Sequence, residues 1–303
     1  MHMQVLAYGL RRTARLLVLL LPFLPVAAYG HTASNTDSTA RTVRSQLLAT
    51  IDFLDAGVNS LNAVNSLLKK EAYRVRIASL NNPASTDLGF NLGQEVQAAL
   101  KPLLDKAKST DAQKFSSVVG SLLAGVQQTG GITPVRSIFP TLLGLVGNLT
   151  VQEKRISRED LDSFQAVVGR YFLQFEKLQT ANTVFDQHID RLNNRMRDLQ
   201  FDLREYQLDL CALLYPEVPR GSLRTLGDEE LLLNYLSRNK LDARWAKGPV
   251  PQRYPSDALK SAKDLSANLQ KLFADYQKVY TENYQQVRTI LNETRALGKR
   301  INT

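Results

Sequence analysis

Cysteine, histidine and tryptophan are nearly missing from this 303-residue chain, which holds one Cys, three His and one Trp. A lone Cys211 excludes an intramolecular disulfide and, with so few histidines, a structural zinc site of the usual kind. No HExxH, paired CxxC, GxSxG or Walker-type loop occurs, so no residue set is available for the common metal, nucleophile or phosphate-loop chemistries. Asp186, His188 and Asp190 look metal-like in the linear sequence. On a helix, however, Asp186 and Asp190 share a face and His188 points elsewhere. Neither a cofactor nor a small-molecule substrate is suggested, and the chain is expected not to be an enzyme. Gly and Pro are modest at 16 and 11 residues, which argues against collagenous or low-complexity structure. Alternating Val, Ile and Thr runs hardly appear, so strands are not expected.

Charge is positive but diluted. Three of the nine net positive charges, Arg11, Arg12 and Arg15, lie in residues 1–30, leaving +6 over the rest. The densest basic group, Arg191, Arg195, Arg197 and Arg204, has Asp190, Asp198 and Asp202 among it. That mixture reads as a solvated helical face, and nucleic acid is not expected as a partner.

The three arginines precede an apolar run from Leu16 to Leu24, then Pro22, Pro25 and the small residues Ala27, Ala28 and Gly30. This is the order of a secretory signal peptide over 1–30, with cleavage after Ala28-Tyr29-Gly30 or after Val26-Ala27-Ala28. The run is short of the ~20 residues a membrane span needs. An exported chain without disulfides points to a bacterial periplasm or exterior. Residues 31–40 are small and polar and read as a flexible linker.

What the sequence has in plenty is apolar residues three and four apart. Over 157–214 the seam is Leu161, Phe164, Val168, Tyr171, Phe175, Leu178, Asn182, Phe185, Ile189, Leu192, Met196, Leu199, Leu203, Tyr206, Leu210 and Leu213. The strict alternation of steps is a heptad a/d pattern and predicts one helix, ~85 Å long at 1.5 Å per residue. Ser157 is placed to cap it, and Pro216 to stop it. A first helix is predicted over 41–80 on Leu47, Ile51, Leu54, Val58, Leu61, Leu68, Ala72 and Val75, ended by Asn81-Asn82-Pro83. A last one is predicted over 256–301, its seam running from Leu259 through Ala262, Leu269, Tyr276, Asn283, Val287 and Ile290. Leu265, Leu272 and Val279 widen that stripe, so it should pack on two neighbours. Asn182 and Asn65 occupy seam slots where an amide can fix register by meeting an amide-like partner. Cys211 falls beside the seam, at a b position, where an exposed thiol crosslinking two protomers and a buried thiol are open alternatives.

Residues 87–150 differ. Short helices are predicted at 91–108 and 111–128, and an apolar, glycine-containing stretch runs from Ile132 to Leu149, interrupted by Pro134, Arg136 and Pro140. Together with Val118–Val126 it suggests an apolar helical hairpin. A further short helix is predicted at 227–245. Long helices of 3.5-residue period settle as an antiparallel bundle. The expected fold is therefore all-α: an elongated antiparallel bundle of long coiled-coil-like helices over 41–303, with a short apolar helical subdomain.

Long helices with an apolar segment inserted between them form a layout that resembles the cytolysin A-type toxins. The resemblance is one of layout. It implies an α-helical pore-forming or membrane-lytic protein whose membrane-active residues would be Val118, Leu122, Val126, Ile138, Phe139, Leu142, Leu143, Leu145 and Val146. The residues by themselves favour a plainer expectation: an exported structural or interaction protein, a scaffold or adaptor, with a protein partner or a second copy of itself, and the membrane as the alternative partner.

Overall fold

A computed structural model describes residues 36–69, 72–107, 117–122, 135–152, 156–247 and 255–298. Among these the chain is all-α with no strand. The signal-peptide reading of 1–30 lies outside the described residues. Helix α1 is Thr36–Lys69 and α2 is Ala72–Leu80; α3 is Leu92–Lys106 and α4 is Val135–Gln152. A short helical segment covers 117–122. Helix α5, Arg158–Leu214, has 57 residues. Three short helices follow, α6 Arg220–Arg224, α7 Asp228–Asn234 and α8 Arg238–Lys247, and then α9, Ser256–Ala296, with 41 residues.

The chain divides into two compact units. One gathers α1, α5 from Ile189 onward, α6 to α8, and α9 up to Lys278; the other gathers α2 to α4, α5 up to His188, and α9 from Val279 onward. Within each unit α5 and α9 run antiparallel. In the first, Tyr206 Oη donates to the Ala258 carbonyl at 2.7 Å and Arg195 pairs with Asp275. In the second, Asn283 Nδ2 donates to the Ala181 carbonyl at 3.1 Å, and Lys177 meets Glu293 at 2.6 Å. Helix α1 comes close to both in the first unit. A Cβ added to Gly57 would stand 3.3 Å from the Leu203 methyls and 3.7 Å from Leu269 Cδ1. Glycine is what allows that approach.

The ends of the long helices follow their sequence signals. Ser157 caps α5: its hydroxyl accepts from the Asp160 N–H at 3.2 Å, while Asp160 Oδ2 accepts from the Ser157 N–H at 3.0 Å. This reciprocal pair satisfies two of the donors that a helix start leaves open. Leu214 ends α5 two residues before Pro216, and Gly298, at φ 79°, ends the last turn after α9 in the left-handed region.

Asp160 also receives Lys106 Nζ at 2.7 Å. That bond first, then those from the Ser157 N–H and hydroxyl, lower its carboxyl from an ordinary 3.8 to about 2. A depressed carboxylate adds stability that is full above the unfolded value and fades as the pH falls through the folded one. Protection of the first amides of α5 against hydrogen exchange should therefore hold at pH 5 and decline between pH 4 and 2. In Asp160→Asn that decline should vanish; a decline of the same size in the variant would assign it to other groups.

Several sequence expectations are corrected. Helix α1 begins at Thr36, inside the stretch read as a linker. The predicted 41–80 helix is two elements, and its seam does not carry across: Val75 is 60% exposed, whereas Tyr73, Ile77 and Leu80 are buried. A second helix starts with its own phase, so heptad counting from the first points the wrong side chains inward. The single helix predicted at 227–245 is α7 and α8, divided at 235–237, with α6 before them. The last helix ends at Ala296 rather than 301. Of the helix read at 111–128, only 117–122 lies within the described residues.

Candidate functional site

Most of the α5 seam faces a core. Phe164, Val168, Phe175, Leu178 and Phe185 are buried in one unit, and Ile189, Leu192, Met196, Leu199, Leu203, Tyr206 and Leu210 in the other. Leu161, Tyr171, Asn182 and Leu213 are only half-buried. Toward the end of α5 burial spreads around the helix: Gln207, Leu208 and Cys211 are fully buried, off the predicted seam. Helices α6 to α8 account for this, because they cover a second side of α5. Arg204 donates to the Leu226 and Arg224 carbonyls at 2.5 and 3.0 Å and pairs with Asp228 at 2.5 Å. Arg244 donates to the Leu214 carbonyl at 2.8 Å and lies 5.4 Å from the Tyr215 ring centre.

Of the two alternatives open for Cys211, the buried thiol is the one found, and burial pushes it up to about 12. A thiol of that kind is protonated and unreactive at neutral pH.

The buried amide is not where the sequence suggests. Asn182 donates to Asp186 of its own helix at 3.3 Å. The amide at the core is Asn283, 4% exposed. It accepts from Tyr73 Oη at 2.5 Å and donates to the Ala181 carbonyl, joining α2, α9 and α5 in one unit. Tyr73 packs edge-on to Phe185 at 5.5 Å, and Tyr280 lies 5.5 Å from Tyr73 and 5.1 Å from Phe185. Burial, then Tyr280 and Tyr284, raise the Tyr73 phenol, so it stays a neutral donor. The two hydrogen bonds of Asn283 each join one helix to another. A polar network of this kind fixes which helices meet and at what height.

The apolar insert is divided. In α4, Ile138, Leu142 and Val146 are buried, while Phe139, Leu143 and Leu145 are half-buried. Phe139 stacks at 4.9 Å on Phe172, and its edge lies 3.3 Å from where a Gly169 Cβ would stand. Helix α4 therefore docks one face on α5 within its unit. In the segment 117–122, Val118 is 49% exposed, Leu122 half-buried and Val119 buried. Val126 lies outside the described residues. No helix among the described residues is long and apolar enough to cross a membrane. Nor is there, among them, a group of three or more side chains able to hold a metal; His188 is half-buried on α5.

Two surface features were not anticipated. Phe201 and Leu233 are 63% and 68% exposed in the first unit. Phe201 lies three residues before Arg204, on the side of α5 that the short helices cover further along. The second feature is a cleft of about 290 Å³ between the start of α1 and α8, lined by Ala40, Arg41, Arg44, Asp242, Trp245 and Ala246. Its walls are some 200 residues apart in sequence, so no local pattern could have joined them. The single signal was the lone tryptophan set among Arg244, Lys247 and Lys240. Comparison with known proteins finds no matching family model, no similar curated protein and no similar solved structure.

Proposed function

We propose that this chain is an exported, non-enzymatic interaction protein of a bacterial envelope or exterior, a scaffold or adaptor that docks a protein partner. The exposure of Phe201, in line with the α5 face that holds the short helices, carries the reading. Burying a phenylalanine contributes about 1.5–3 kcal/mol, so one left 63% exposed is a candidate anchor for another surface. Leu233, two residues beyond the buried Leu231, adds a second apolar side chain in the same unit. The N-terminal order of arginines, apolar run and small residues supports export. The alternative, a membrane-lytic protein with a cytolysin A-like layout, draws support from the exposed Val118 and from α4, in which Arg136 is the sole charge. Against it weigh the buried contacts of Ile138, Leu142 and Val146.

Affinity capture from the native envelope fraction tests the main reading when run with the wild-type chain and with Phe201→Ser in parallel. A partner retained by the first and lost by the second, with helix content unchanged, is the expected result. The same partners on both, or none on either, would remove this face from the proposal.

A further inference from the structure

We draw no further inference here: the strongest candidate, the groove of about 280 Å³ between α5 and α9 lined by Asp202, Glu205, Asp209 and Asp264, carries nothing, because Arg220 already holds Glu205 and Asp209 and nothing in the structure shows what fills the rest of this acidic cluster.

Discussion

Ile189→Asp should lower unfolding stability by about 3–5 kcal/mol, the range for leaving a charge buried without a partner. Ile189 is 2% exposed and sits one seam step from the buried Leu192. An aspartate there must either ionise in an apolar surround or bind a proton at neutral pH, and both routes are unfavourable. Gln200→Asp is the matched control, because Gln200 is half-buried on the same helix. Both changes introduce the same side chain in the interior of α5, so the helix-propensity cost largely cancels in the comparison. The control should lose no more than about 1 kcal/mol. Urea unfolding followed by helix circular dichroism reads both, through shifts in midpoint at constant slope. Equal losses would show that the inward face of α5 is not the one holding Ile189.

That comparison works because α5 was legible. A cap at Ser157, an uninterrupted run of three- and four-residue steps and a stop at Pro216 leave one solution, and α9 reads the same way from Ser256, although its seam pattern runs on to 301, past the helix end at Ala296. A seam, however, specifies one buried stripe. It is silent on whether a second layer covers the opposite side, and so it gives no sign that Gln207 and Leu208 are buried and leaves Cys211 open between buried and exposed. The layer itself carries a signal, on which the helix predicted at 227–245 begins, but that signal does not say which face it covers. Asp228, Glu229 and Glu230 form an acidic first turn, and Glu230 accepts the Gly227 N–H at 2.7 Å, marking a fresh helix start. The two asparagines of α5 and α9 make the same point. Asn182 and Asn283 both occupy seam slots, and the choice between them was made by Tyr73, which arrives from α2. The cleft at Trp245 was beyond local reading for the same reason: its arginines come from α1.

Gln207→Leu should raise stability, by about 2 kcal/mol. Gln207 is fully buried, and neither its Nε2 nor its Oε1 has a hydrogen-bond partner. Its place explains why no partner is at hand. It lies between the direction of Leu203, which meets α1 at Gly57, and that of Arg204, which grips residues 224–228. That sector is filled by apolar groups such as Leu203 on the turn before and Cys211 on the turn after. A buried amide left unpaired costs about 1–3 kcal/mol per polar group, and an apolar replacement of similar size recovers part of it. Leucine and glutamine have nearly equal helix propensity, so the gain would come from burial alone. Gln207→Glu should do the opposite at pH 7 and recover at low pH, because a carboxyl in that place ionises only with difficulty. The pair is decisive in combination. Were leucine neutral and glutamate harmless, water or a protein group would be reaching position 207, and the tight joint between α1, α5 and the short helices would have to be given up.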